Sequence, residues 1–150
     1  MLRILLSLLL LFLVINAAWF AWRMVTYGVF SREMENTDTG SWLVPRYHHT
    51  DADGFDYGVK YPDYLSLTGN LSVKLPAEGD NPFTDALILW PEAFGGCEYG
   101  AILMEDGQEY QIYLQADGSP VDPGDKEVAA RHQEQIAALL EKAQEMWDLE

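Results

Sequence analysis

Cysteine is almost absent from this 150-residue chain, in which Cys97 is the only one. A single cysteine excludes an internal disulfide, so no disulfide framework stabilises the fold. A lipid-modified cysteine after the N-terminal apolar segment is also excluded, because no cysteine follows that segment closely. The roughly 120 residues beyond it can bury about two-thirds of their extended surface, which suffices for a packed core without covalent bridges.

Positive charge is scarce as well. The chain has nine Lys and Arg against 24 Asp and Glu, a formal net charge of −15. All acidic residues follow Arg23, where they meet only seven basic ones, so that part of the chain carries −17. Such a surface lacks the cations that displace counterions from phosphates, which excludes nucleic acid as a partner. It favours a basic protein partner and is repelled by anionic lipid headgroups.

Charged residues are missing altogether from residues 4–22, where only two side chains are polar. As a helix, this segment would extend about 28 Å, close to the roughly 30 Å of a bilayer's hydrocarbon core. An arginine flanks each end, and tryptophans lie near the far end, where amphipathic rings favour the headgroup level. The sequence therefore predicts a single-pass signal-anchor or transmembrane segment over residues 1–30, with Ile4 and Trp22 as the limits of the span.

A cleaved signal peptide is the alternative, with cleavage near Ala17 or Ala18 and a secreted domain as the product. Ile15 or Asn16 would then occupy the third position before the cut, where small residues are preferred. The apolar character also resumes at Trp19, directly after the cut. We therefore favour the retained anchor, with the C-terminal domain outside the cytoplasm because the three-residue head is short and carries one arginine.

Residues 31–54 are polar and rich in turn-forming types, apart from a short apolar island at 42–44, and one edge strand could form among them. They predict a tether and entry loop that precedes a compact domain over residues 55–150. In that domain, residues 55–61 and 64–75 alternate between apolar and polar side chains, as half-buried strands do. The second stretch places five apolar side chains on one face, namely Leu65, Leu67, Leu71, Val73 and Leu75. Gly69 falls on that face, which indicates a bulge or a close approach of another group.

The clearest local signal is Asp106-Gly107 between two apolar runs, which predicts a two-residue hairpin with positive φ at both corners. This turn fixes the register of three facing pairs: Tyr99 with Leu114, Ala101 with Ile112, and Leu103 with Tyr110. The unbroken apolar run over residues 86–90 predicts a central strand.

The C-terminal segment predicts a helix, in which Asp122 caps the start and Pro123 takes the first helical position. An apolar stripe at helical spacing includes Val128, Ile136, Leu139, Leu140, Ala143 and Trp147, and His132 joins it. The predicted fold is therefore α+β, with an N-terminal transmembrane helix, an antiparallel meander of about five strands and one C-terminal helix packed on it.

Two segments contain residue types that could carry chemistry. Residues 48–56 hold two histidines and three aspartates, yet their spacing matches neither a calcium loop nor converging zinc ligands. Cys97 follows two glycines, without an adjacent imidazole in the sequence, and Glu92 and Glu98 flank the same bend. We predict a solvated loop over residues 48–56, a small residue at a strand entrance for Cys97 and a solvated surface for the two glutamates, with no catalytic, metal or cofactor site. The alternative is a small membrane-bound hydrolase or metal-dependent enzyme that uses residues 48–56 and 95–100.

Aromatic side chains cluster around the Pro- and Gly-rich loop near residue 95, where Trp90, Phe94 and Tyr99 form the candidate partner surface. The function that the sequence favours is a membrane-anchored, acidic, non-enzymatic protein-binding domain of the accessory or immunity type. An enzyme would instead bring the histidines or aspartates of residues 48–56 together with Cys97 or Glu98 in one cleft.

Overall fold

The computed structural model describes residues 1–36, 45–77, 84–92 and 95–149. Within these ranges it has an N-terminal apolar helix, an antiparallel sheet in meander order and a C-terminal helical region, which confirms the predicted α+β fold. The apolar island at 42–44 and the predicted partner residue Phe94 lie outside the described residues.

The elements follow one another along the chain with each strand antiparallel to the next. Helix α1 spans Leu2–Gly28 and is followed by β1 (Glu35–Asn36), β2 (Arg46–Thr50), β3 (Asp56–Lys60), β4 (Asn70–Lys74), β5 (Ala86–Pro91), β6 (Cys97–Glu105) and β7 (Gln108–Leu114). A 3₁₀ turn (Pro123–Asp125), α2 (Lys126–Arg131) and α3 (Gln133–Trp147) complete the described structure.

Strand β2 lies inside the segment that the sequence predicts as tether and entry loop. In the described ranges the sheet accordingly has six strands of five or more residues, besides the two-residue β1, where about five were predicted. The sequence of β2 lacks the apolar alternation that would locate this strand, because Tyr47 and His49 are only half-buried and the alternate side chains are exposed. Backbone pairing with β3 over all five residues holds it in the sheet.

The predicted strand over residues 64–75 is half right. Leu71 and Val73 point into the core from β4, but Leu65 and Leu67 lie in the β3–β4 loop and are 51% and 56% exposed. Leu65 has a φ of 59°, in the left-handed region, so the backbone there cannot continue a strand. The predicted close approach at Gly69 is confirmed, since a Cβ at this position would lie 2.2 Å from the Lys60 carbonyl oxygen.

The β6–β7 hairpin matches its prediction in both turn and register. Asp106 and Gly107 have φ values of 50° and 76°, as a two-residue turn of this class requires. The three facing pairs are those given by the sequence: Tyr99 with Leu114, Ala101 with Ile112, and Leu103 with Tyr110. The predicted central strand, β5, pairs with β4 on one side and β6 on the other.

The core lies between one face of the sheet and α3, whose buried side chains are those of the predicted stripe: Ile136, Leu139, Leu140, Ala143 and Trp147. The helical region begins as predicted, because Asp122 accepts a hydrogen bond from the Gly124 N–H at 2.7 Å. The single predicted helix is interrupted at His132, whose φ of −107° separates α2 from α3.

Candidate functional site

Helix α1 has an exposed first half and a second half of which one face is buried. From Leu2 to Ile15 every large apolar side chain is at least 49% exposed. In the second half, Trp19, Arg23 and Tyr27 are 6%, 4% and 0% exposed. Among the described helices, α1 is the one that is long and apolar enough to cross a membrane. The sheet domain is therefore packed directly against the end of this helix.

The β3–β4 loop runs alongside the second half of α1, and we call residues 16–28 and 61–69 together the junction. Three hydrogen bonds join its two sides at successive levels of the helix: the Gly69 N–H to the Tyr27 hydroxyl oxygen at 2.7 Å, the Trp19 Nε1–H to the Ser66 carbonyl at 2.8 Å, and the Tyr64 hydroxyl to Asn16 Oδ1. With about 1.5 Å of rise per residue, these levels span roughly 17 Å of helix.

The predicted limits of the span fall on different halves of α1. Ile4 lies in the exposed first half. Trp22 is half-buried, and its ring meets that of Tyr27 edge-on with 6.1 Å between centroids. Ala17 and Ala18 are exposed, so a cut there would leave the buried residues of the second half attached to the domain.

Arg23 is a part of the junction that the sequence identifies only as a flanking charge. Its guanidinium lies 4.9 Å from the ring centroids of Trp19 and Phe20, and 5.6 Å from that of Tyr61. Aromatic faces attract cations electrostatically, so these rings accommodate the charge within the domain rather than in bulk water. Tyr61 also exchanges a hydrogen bond of 2.8 Å with Ser31, just beyond the helix.

Cys97 opens β6 beside a small cavity at the end of α3, lined by Thr26, Phe30, Pro91, Glu92, Gly95, Gly96, Tyr99, Trp147, Asp148 and Leu149. Histidine is absent from this described lining. Burial is the main cause that raises the pKa of the Cys97 thiol to about 11, and the carboxylates of Glu92 and Glu98 add to it. At neutral pH the thiol is protonated, which is the opposite of what a cysteine nucleophile requires.

We predict that Cys97 reacts slowly with alkylating reagents. At pH 8 its pKa of about 11, against a reference value of 9.0, reduces the thiolate fraction roughly 100-fold. Iodoacetamide should therefore label the folded chain about 100-fold more slowly than the chain unfolded in urea. A second thiol introduced by Val121→Cys, at an exposed position, serves as the control in the same molecule. Equal rates at both thiols would contradict the raised pKa of Cys97, and a faster rate at Cys97 than at the introduced thiol would indicate an activated cysteine and support the enzyme alternative.

Residues 48–56 form the end of β2, a tight turn and the start of β3. Asp51 organises the turn, because its carboxylate accepts hydrogen bonds from the backbone N–H of Asp53 and of Phe55 and from the Tyr57 hydroxyl, each at 2.9 Å. Burial alone would raise the pKa of the Asp51 carboxyl, but these hydrogen bonds, with the nearby Lys142 ammonium, hold it below its usual range. The role of Asp51 in this structure is to close a turn.

Asp51→Asn should lower the free energy of unfolding at pH 7 by about 1–3 kcal/mol, the cost of losing hydrogen bonds to a charged acceptor. Because the folded state depresses the carboxyl pKa, the stabilisation is present above the unfolded value of 3.8 and is lost as pH falls through the folded value. Urea unfolding at pH 7 and at pH 3 should show the two chains converging at the lower pH. Asp53→Asn, at an exposed site, is the control with a small effect at both. A constant gap would contradict this role of Asp51.

His48 and His49 point to opposite faces of the sheet, as neighbours on a strand must. The His48 imidazole contacts the Asp56 carboxylate on the outer face, whereas the His49 ring lies 6.1 Å from that of Tyr57 on the inner face. In the described ranges, no three His, Cys, Asp or Glu side chains are grouped so that they could hold a metal ion. Cys97 lies on β6, three strands away from β3.

The candidate partner surface is divided by the sheet. Trp90 lies on the outer face, with its ring centroid 6.1 Å from that of Tyr113. Gly100 makes room for it, since a Cβ there would lie 2.9 Å from the Trp90 ring. Tyr99 points to the inner face and packs against the core. The outer aromatic pair is therefore Trp90 and Tyr113, and the sequence missed Tyr113 because it comes from another strand.

A buried polar pair at the other end of the sheet was also missed by the sequence. His132 Nδ1 lies 2.8 Å from Asp85 Oδ2, and the second carboxylate oxygen of Asp85 accepts the Met104 N–H at 2.7 Å. Both side chains are buried. They border an open groove near the hairpin tip, which Leu75, Met104, Asp106 and Glu109 also line. In sequence, only the position of His132 within an apolar stripe gave a signal.

Comparison of the chain with protein-family models, curated proteins and solved structures finds no match.

Proposed function

We propose that this chain is a membrane-anchored, non-enzymatic domain that binds a basic protein partner, as accessory and immunity-type proteins do. The division of α1 carries the proposal. Its first half exposes a continuous apolar surface without charge over residues 4–15. A bilayer covers such a surface favourably, whereas water does not. Because one face of the second half is part of the core, the anchor holds the domain close to the lipid. The proposed orientation places the C-terminal domain outside the cytoplasm.

The partner site of this proposal is the groove near the hairpin tip. The groove lies at the end of the sheet opposite the junction. Strand β4 begins at Asn70, beside the junction, and ends at Lys74, which pairs with Ala86 near the groove. Asp106 and Glu109 supply negative charge at its rim. Apolar side chains between acidic groups suit a Lys or Arg side chain, whose stem is apolar and whose head is cationic. The charge of −17 beyond Arg23 supports a basic partner in the same way.

The anchor is tested by carbonate extraction of membranes from cells that express the full chain with a C-terminal tag. We expect the chain to stay in the membrane pellet. Leu8→Arg with Leu11→Arg should move it to the supernatant, since each charge at a span's centre costs about 3 kcal/mol. Leu8→Ala with Leu11→Ala is the matched control and should stay in the pellet. Extraction of the unaltered chain by carbonate would contradict the anchor.

The partner site is tested with a photo-crosslinking residue in place of Gln135, which lines the groove. We expect an adduct with a basic protein that weakens as salt is added, and that is lost with Asp106→Asn and Glu109→Gln. The same crosslinker in place of Gln115, which is exposed on the chain after β7, is the control. Adducts that are unaffected by the two charge-removing substitutions would contradict an acidic binding groove.

A further inference from the structure

The β3–β4 loop exposes apolar side chains beside the second half of α1, next to the first half that the proposed bilayer covers. Leu65 and Leu67 are 51% and 56% exposed. Tyr64, whose hydroxyl donates to Asn16 of α1, is also exposed. Leu65 is held in the left-handed region of backbone conformation, which is unfavourable for a bulky residue. Neither the exposed leucine side chains nor the left-handed backbone of Leu65 stabilises the domain in water. An apolar environment outside the chain would cover these side chains favourably.

The depth of this loop follows from its contacts with α1. Its hydrogen bonds reach Trp19 and Asn16, which lie three and six residues before Trp22, the predicted end of the span. At about 1.5 Å per residue, these levels are roughly 4 and 9 Å inside that end. Since the loop follows the helix toward its N-terminus, a bilayer that covers the first half of α1 also meets Tyr64, Leu65 and Leu67.

Backbone groups at Ser66 and Thr68 are paired within the junction, which lowers the cost of placing this part of the loop against lipid. The Ser66 N–H donates to the Asp63 carbonyl at 2.8 Å, and the Ser66 carbonyl accepts the Trp19 indole N–H. The Ser66 hydroxyl oxygen accepts the Thr68 N–H at 3.2 Å. The loop can therefore enter the headgroup region and the adjoining acyl chains without leaving these groups unpaired.

We propose that the β3–β4 loop is a second membrane contact, in which Leu65 and Leu67 enter the same leaflet as the end of α1 and fix the orientation of the domain on the bilayer. This inference rests on the proposed membrane anchor. It deepens that proposal, because a helix alone would allow the domain to rotate and tilt, whereas helix and loop together present one defined side to the lipid. The groove near the hairpin tip then faces away from the membrane.

The test uses the full chain in nanodiscs of zwitterionic phosphatidylcholine, with a polarity-sensitive fluorophore on single cysteines in a Cys97→Ser background. Labels are attached through Leu65→Cys, Leu67→Cys, Leu10→Cys and Asp106→Cys in separate chains. We expect blue-shifted emission, quenched by lipids brominated near the headgroup, for the two loop labels. Leu10→Cys should be quenched by lipids brominated deeper in the chains. Asp106→Cys, at the hairpin tip, should emit as in water and be unaffected by bromine.

The four labelled positions distinguish the proposed loop contact from the proposed anchor. Quenching at Leu10→Cys without quenching at either loop position would overturn the loop contact and leave the anchor intact. Blue-shifted loop labels that bromine does not quench would also overturn it, because protein rather than lipid would then cover the leucines. Absence of quenching at Leu10→Cys would overturn the anchor and the loop contact together. Two loop positions are used so that a misfolded variant at one leaves the other as the test.

Discussion

Tyr27→Ala should lower the free energy of unfolding by about 3–5 kcal/mol, the usual cost of truncating a buried aromatic residue. Tyr27 is 0% exposed, although it belongs to the apolar N-terminal helix. Its ring packs against that of Tyr61 at 5.7 Å, and its hydroxyl oxygen accepts the Gly69 N–H. The substitution removes core volume and leaves a buried N–H without its partner, so both losses add. Urea unfolding in mild detergent, followed by tryptophan fluorescence, measures the effect.

Phe12→Ala is the matched control in the same helix. Phe12 is exposed in the first half of α1, and its truncation should change the stability by less than about 0.5 kcal/mol. Tyr27→Phe removes the hydroxyl alone and should give an intermediate loss of about 1–2 kcal/mol. Equal effects of Tyr27→Ala and Phe12→Ala would show that the second half of α1 is not part of the core, and would contradict the junction.

Asp85→Ala should destabilise the opposite end of the sheet by about 3 kcal/mol. The substitution leaves the Met104 N–H and the His132 imidazole without their acceptor in a buried place, and each such group costs about 1–3 kcal/mol. His132 also marks the break between α2 and α3, so the Asp85 contact fixes the entry of α3 onto the sheet. Thermal and urea unfolding of the two chains at pH 7 measure the loss.

Glu109→Ala is the control for the buried pair, because Glu109 carries the same charge near the same groove but is exposed. Its effect should stay below about 0.5 kcal/mol. Asp85→Asn keeps an oxygen acceptor and should recover part of the loss seen for Asp85→Ala. If Asp85→Ala and Glu109→Ala were equally mild, the pair would have no structural role and the groove would need another account.

The parts of the fold that the sequence predicts correctly are those where two local signals agree. At the β6–β7 hairpin, the Asp106-Gly107 turn and the apolar alternation fix the same register, and the structure has that register. Asp122 and Pro123 likewise mark the start of the helical region. These signals are local because a turn and a helix cap depend on residues only a few positions apart.

The junction could not be predicted in this way, because its contacts join residues far apart in sequence. Trp19 and Ser66 are 47 positions apart, and Tyr27 and Gly69 are 42 apart. Leu65 and Leu67 fit the alternation of the strand that follows them, so periodicity alone assigns them to the core. The path of the loop along α1 keeps the two leucines out of the core. Gly69 is the one residue whose position in the sequence indicates a close contact in this loop, and it does not identify the residues that make the contact.

The intact mass of the chain recovered from cells shows whether the first half of α1 is retained as a membrane anchor. We expect the mass of all 150 residues, in the membrane fraction. A soluble product shortened by 17 or 18 residues would show cleavage near Ala17 or Ala18 and would contradict the anchor. The domain would then be secreted with Trp19, Arg23 and Tyr27 still in place, and its partner should be sought among extracellular proteins.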